Sequence, residues 1–130
     1  MRLELIIKHY AELLQQKEKT YTAKLGYAIS RNIKALQEAV NEYDESRIQI
    51  CKNYANKDEN GKEMIKDGHY DMTEENEKIV NEELLSLQMM DVDVAIMKVP
   101  FSELEECEKK ERYTIPSVSD IEALMFMIED

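Results

Sequence analysis

The stretch TAKLGYAISRNIKALQEAVNEYDESRIQICKNYA, residues 22–55, decides the fold. Within it Ile33, Leu36, Val40, Tyr43, Arg47, Ile50 and Tyr54 recur at alternating steps of three and four, the seam of a packed helix. Leu25 and Ile29 carry the stripe back toward its start. Neither proline nor glycine occurs between Tyr27 and Asn60, so the spacing predicts one unbroken helix from about Thr22 to Ala55. At the helical rise it would be about 50 Å long. Such a helix cannot bury its stripe alone, and either the C-terminal helices or a second chain must cover what the N-terminal segment does not. Arg47 in the seam argues against a long, uniform dimer zipper.

Upstream, Leu3, Ile6, Ile7, Tyr10, Leu13 and Leu14 share one face of a first amphipathic helix, and the polar run Gln15–Thr20 is where the chain turns. Downstream, Asn60-Gly61 and Asp67-Gly68 supply residues that tolerate positive φ, which suggests a small hairpin of Lys62–Lys66 with His69–Met72. Thr73-Glu74-Glu75 opens a helix whose apolar stripe is Ile79, Val80, Leu84 and Leu87. Val92, Val94 and Ile96 alternate with polar or small neighbours, the best strand signal in the chain, closed by Pro100. Ser102-Glu103-Leu104-Glu105 and Ser119-Asp120-Ile121-Glu122 read as capping boxes of a short helix and of the last one. The expected fold is α+β and predominantly helical: an N-terminal helical hairpin with one long helix, a small β-hairpin or sheet, and a C-terminal helix. One domain of 130 residues is expected, with 1–56 as the helical hairpin and 57–130 as an acidic α+β part.

Charge is unevenly spread along this chain of net charge −11. Residues 1–65 hold 11 basic and 10 acidic side chains, whereas residues 66–130 hold 6 basic and 18 acidic ones. Contact with nucleic-acid phosphates needs clustered Lys and Arg, so direct DNA binding is not expected of the acidic half. No apolar run is long enough to span a membrane, and Leu3–Ile7 is too short for an export signal. Cys51 and Cys107 make no disulfide framework and read as small apolar residues in a reducing cytoplasm. His9 and His69 lack partners at metal-ligand spacing, the glycines are isolated, and glutamates flank Cys107. The expectation is therefore a protein that is not an enzyme and needs no cofactor or metal.

Two groups of residues invite a partner. The acidic half offers Asp91, Asp93, Glu105 and Glu106 to a basic host protein, and the C-terminal helix would present Phe126 and Met127 away from its docked arc. Lys17, Lys19, Lys24 and Arg31, with Lys34, surround Tyr21 and Tyr27, a basic and aromatic stretch suited to an anion or a small nucleotide. The contrast of the two halves also suits a homo-oligomer held by head-to-tail charge pairing.

The run Ile50–Lys62, with its Tyr54-Ala55-Asn56-Lys57-Asp58-Glu59-Asn60-Gly61-Lys62, resembles a K-Y-A-x-K-D-E-N-G-K segment of an uncharacterised family of small proteins from phages and prophages of Gram-positive bacteria. Glu74-Glu75-Asn76, Asn81–Leu85 and the valines at Asp91–Val94 look like the same family. The tail from Ser117 through Ile121-Glu122-Ala123-Leu124 to Ile128-Glu129-Asp130 is similar to its closing S-x-x-x-[IL]-E-A-L-x-x-[FM]-I-E-[ED] helix. The resemblance spans roughly residues 23–130, brings no catalytic or binding residues, and implies an accessory role in the cytoplasm of an infected bacterium. The expected function is a non-enzymatic phage protein that binds and blocks a host factor, an antiviral-defence component. The alternatives are an oligomer of virion or tail assembly and a sponge that sequesters a nucleotide signal.

Overall fold

In the computed structural model, which describes residues 1–129, the heptad stretch is one unbroken helix, α2, Ala23–Tyr54. Thr22 starts it, its hydroxyl accepting from the Leu25 amide at 3.3 Å. Leu25, Ala28, Ile29, Asn32, Ile33, Leu36, Ala39 and Tyr43 are buried along one side, while Val40 and Ile50 are half-buried and Arg47 is exposed beside Asp44. The seam therefore fades after Tyr43.

Helix α1, Leu3–Gln16, lies against the first part of α2 and contributes Leu3, Ile6 and Leu13 to the core. The later part of α2 is covered by α3, Glu74–Gln88, within the same chain. Gln88 donates from Nε2 to the Tyr43 hydroxyl at 2.8 Å, and Asn76 from Nδ2 to the Tyr54 carbonyl at 3.1 Å. Between α2 and α3 the hairpin forms as β1, Ile65–Lys66, and β2, His69–Tyr70. Asp67 at φ 53° and Gly68 at φ 80° make its turn, the left-handed pair that a two-residue hairpin requires.

The valine-rich segment departs from expectation. Residues 92–98 join no sheet, although Val92, Val94 and Ile96 do pack on the core while Asp91, Asp93 and Ala95 face out. The alternation reports a ribbon with one buried side, and buried Asn32 replaces the missing strand partner. Its Nδ2 donates to the Met97 carbonyl at 3.0 Å and its Oδ1 accepts from the Met97 amide at 2.8 Å. At the other end the Val92 amide donates to the Met1 carbonyl at 2.8 Å. Pro100 does not close a strand at 92–96; it belongs to β3, Val99–Pro100.

The C-terminal third differs in detail as well. Helix α4, Ser102–Lys109, has no side-chain cap, so the proposed box at Ser102 does not form. Helix α5, Val118–Leu124, is capped two residues earlier than the sequence suggests. Ser117 accepts from the Asp120 amide at 3.1 Å, and Asp120 accepts from the Ser117 amide at 2.9 Å. A 3-10 turn, Met125–Met127, follows and leads into β4, Ile128–Glu129, which runs parallel to β3.

Register at Ser117 is selected by a distant network. Buried Asp120 also accepts from Gln16 Nε2 at 2.9 Å and from Lys19 Nζ at 2.8 Å, and buried Tyr21 donates its hydroxyl to Gln16 Oε1. This cluster ties the α1–α2 loop to α5. Burial alone would raise the Asp120 carboxyl, but the bonds from Lys19, Ser117 and Gln16 outweigh it and hold the group well below the usual carboxylate range. Stability gained from a depressed carboxyl is complete above its unfolded value near 4 and drains away as pH falls below that. Asp120→Asn is therefore expected to cost about 1–3 kcal/mol at neutral pH. In urea melts the gap between wild type and variant should close below about pH 4; a gap independent of pH would contradict the bonding described.

Candidate interaction surfaces

Two surfaces of opposite charge emerge, and neither coincides with the groups read from sequence. The acidic one is built on the outward side of α3. Glu75, Lys78, Glu82, Leu85 and Met89 follow one another at steps of three and four and are exposed. Leu85 is 57% exposed, Met89 44% and Met90 53%, an apolar strip beside Glu82 and Glu83 and next to Asp91 and Asp93. Those four acids form no ion pair among the described residues. The end of α3 is fixed by the first residues: the Leu3 amide donates to the Met90 carbonyl at 2.9 Å, and the backbones of Arg2 and Asp91 form an isolated antiparallel β-bridge.

Asp91 and Asp93 thus stay on this surface, but Glu105 and Glu106 do not join it. They sit on α4, where Cys107 packs at the Thr22 amide, whereas Gln88 bonds Tyr43, about 30 Å further along α2. Glu106 is also paired with Lys109 at 3.1 Å. Leu85 was not singled out, because a mid-helix leucine looks like core until the buried side of α3 is known.

Phe126 and Met127 prove to be packing residues. Met127 is fully buried, its sulfur 3.5 Å from Asn32 Nδ2. Phe126 is half-buried and stacks on His9, with ring centroids 4.1 Å apart and planes 13° from parallel. The physical reason is the 3-10 turn, which changes the angular step at Met125 and swings both side chains onto α1 and α2.

The basic group also divides. Lys19 is committed to Asp120, and Tyr21 is buried with its hydroxyl on Gln16. Lys24, Tyr27, Arg31 and Lys34 instead form one exposed stripe along α2 at steps of three, four and three. Tyr27 is 58% exposed, and its hydroxyl accepts from Arg31 Nη1 at 3.4 Å. Two shallow hollows share it and a third lies beyond Gly26 and Ser30. One, of about 410 Å³, lies between Ala23, Lys24 and Tyr27 of α2 and the segment 97–100. A second, of about 340 Å³, is lined by Tyr27, Ser30, Arg31 and Lys34. A third, of about 230 Å³, reaches Lys17 past Gly26 and Ser30. No carboxylate lines any of them. Lys98, whose ammonium meets the Phe126 carbonyl, adds a cation that no sequence spacing could have signalled.

A wider hollow, about 680 Å³, separates α2, the hairpin and α3, with Arg47, Cys51, His69, Asp71 and Glu77 on its walls. Among the described residues no three His, Cys, Asp or Glu side chains gather as a metal site. Cys107 is buried, and its thiol is pushed up by that burial, with Glu103, Glu106 and Glu108 adding to the effect against the Thr22 amide. No described helix is long and apolar enough to cross a membrane. Comparison with protein-family models, with curated proteins and with solved structures finds no match.

Burial of His9 beneath Phe126 disfavours its charged form and lowers its titration, against the pull of Glu12 and with a small push from Lys8. Its Nδ1 is buried without a hydrogen-bond partner among the described residues. Phe126→Ala should return the His9 titration, followed by NMR, toward its ordinary value near 6.5. It should also cost about 1–3 kcal/mol in a denaturant melt, less than a wholly buried phenylalanine would. An unchanged His9 titration with unchanged stability would instead return Phe126 to the list of free surface anchors.

Proposed function

We propose that this protein acts by binding and not by chemistry: a small phage accessory protein that blocks a host factor, a component of antiviral defence, in the cytoplasm of the infected bacterium. The observation that carries the binding reading is the outward strip of α3, where Leu85, Met89 and Met90 stand exposed beside four acids that form no ion pair among the described residues. An apolar centre with a charged rim is the anatomy of a protein interface. Methionines suit such a surface because an unbranched thioether repacks against irregular partners. Covering each of these three side chains would contribute about 1–2 kcal/mol. The acids select a basic partner and steer its approach. The phage setting and the accessory role rest on the resemblance of roughly residues 23–130, which names neither a target nor a site.

The test uses the whole protein as bait in host lysate, with the captured protein then purified for kinetics. Leu85→Lys with Met89→Lys should abolish capture of a basic host protein while the melting temperature stays within about 2 °C, since both positions face solvent. Association should slow as salt rises, because steering decays over a Debye length of about 8 Å at physiological strength. Capture that survives the double substitution, or an on-rate flat across salt, would refute the assignment of this face.

A further inference from the structure

The stripe on α2 lies apart from the acidic strip and carries a different chemistry. Its 410 Å³ groove is walled by the Tyr27 ring on one side and by Met97, Val99 and Pro100 on the other, with Ala23 beneath. Lys24 and Lys98 stand at its two lips. The lining is almost wholly apolar, so it favours a flat, weakly polar group. Tyr27 is also a wall of the neighbouring 340 Å³ basin, where Ser30, Arg31 and Lys34 offer a hydroxyl, a guanidinium and an ammonium. The two hollows therefore share one aromatic ring, apolar on one side of it and cationic on the other. Both volumes lie at the small end of the 300–1,000 Å³ or so typical of ligand pockets.

The cations are available. Lys24, Arg31 and Lys34 form no ion pair among the described residues, in a chain whose net charge is −11. The stripe is also short. Lys24 to Lys34 spans about 15 Å of helix, and the same face continues as Glu38, Asn41 and Glu45, all exposed. A polyanion following the helix would run into those glutamates, whereas a ligand carrying a few phosphates would not. From the shared ring, the free cations and the acidic boundary we infer that this is a mononucleotide site. The base lies in the groove against Tyr27 and the 97–100 segment, and the phosphates lie on Arg31 and Lys34. The guanidinium fork suits paired phosphate oxygens, and stacking on an exposed tyrosine tolerates any base.

The test is calorimetric titration of the whole protein with ATP, GTP, CTP and UTP in turn, beside adenosine, tripolyphosphate and a twelve-nucleotide oligothymidylate. At least one triphosphate should saturate one site per chain with a Kd below about 1 mM, weakening as salt rises. Tyr27→Ala and Arg31→Ala should each weaken it about tenfold or more, with melting temperature unchanged because both side chains face solvent. Lys34→Gln, also exposed, supplies a second phosphate-side variant should Arg31→Ala alter the fold. Adenosine should bind about tenfold more weakly or not at all, because it leaves the basin empty. Failure of all four triphosphates to saturate would overturn the inference. So would tripolyphosphate binding as tightly as the best nucleotide, which marks an anion patch alone. Tighter binding of the oligonucleotide would also overturn it, by marking a single-strand groove. Indifference to Tyr27→Ala and Arg31→Ala would place any binding elsewhere.

Discussion

The carboxamide of Asn32 is the constraint on which the rest of the structure turns. It lies fully buried on the packed side of α2, among Ile29, Ile33 and Leu36, where an unpartnered amide would be costly. Its oxygen and nitrogen meet the amide and carbonyl of Met97, as the backbone of a neighbouring strand would. One side chain thus satisfies both polar groups of a partly buried crossing and holds the ribbon 92–98 to the helix without a sheet. A leucine in its place would fill similar volume but leave both Met97 groups without a partner. The ribbon is held here and, at its other end, by the Met1 carbonyl. Toward the chain start it leaves Asp93 and Asp91 outward beside the end of α3; toward the chain end it sets Met97–Pro100 opposite Lys24 and Tyr27 as the far wall of a groove.

Charge has been sorted onto those two places at some cost to the free protein. Glu74, Glu75 and Glu77 are favoured by the positive end of α3, but Glu82 and Glu83 lie beyond the reach of that dipole. Tyr54 donates its hydroxyl to Glu83 at 3.2 Å, which raises the phenol above its ordinary value. Cations cluster on the first half of α2, about 15 Å or more from these acids along the helix axis, so the opposite charges do not neutralise each other within one chain. Such separation favours recognition of external charge over internal stability.

Much of the architecture was legible because it depends on near neighbours. The three-four spacing of Ile33, Leu36 and Tyr43, the Thr73 cap and the Asp67-Gly68 turn are each settled within a few residues, and each forms as the spacing predicts. What failed depends on distant residues. Alternation at Val92, Val94 and Ile96 encodes one buried side and says nothing of who satisfies the backbone, which Asn32 does from sixty-five positions away. Ser119 was read as the cap on local grounds, and the cap forms at Ser117 instead, where Gln16 and Lys19 hold Asp120. Phe126 and Met127 were assigned to the surface by extrapolating an α-helical angle through a segment that tightens into a 3-10 turn. The candidate sites suffered in the same way. Lys24, Tyr27 and Arg31 were readable as a helical stripe, but the opposite wall at Met97–Pro100 and the lip at Lys98 belong to the ribbon and carry no spacing signal.

Amide hydrogen exchange at Met97 tests the central constraint most directly. Apart from Met97, whose amide is bonded to Asn32, the amides of residues 93–96 donate no backbone hydrogen bond among the described residues. Met97 should therefore be protected to nearly the level of the α2 core, an isolated slow amide at the end of a fast-exchanging run. Asn32→Leu should erase that protection. Met97 exchanging as fast as Asp93–Ile96 in the wild-type protein would mean that Asn32 does not hold the ribbon, and neither surface would then have the fixed wall assigned to it.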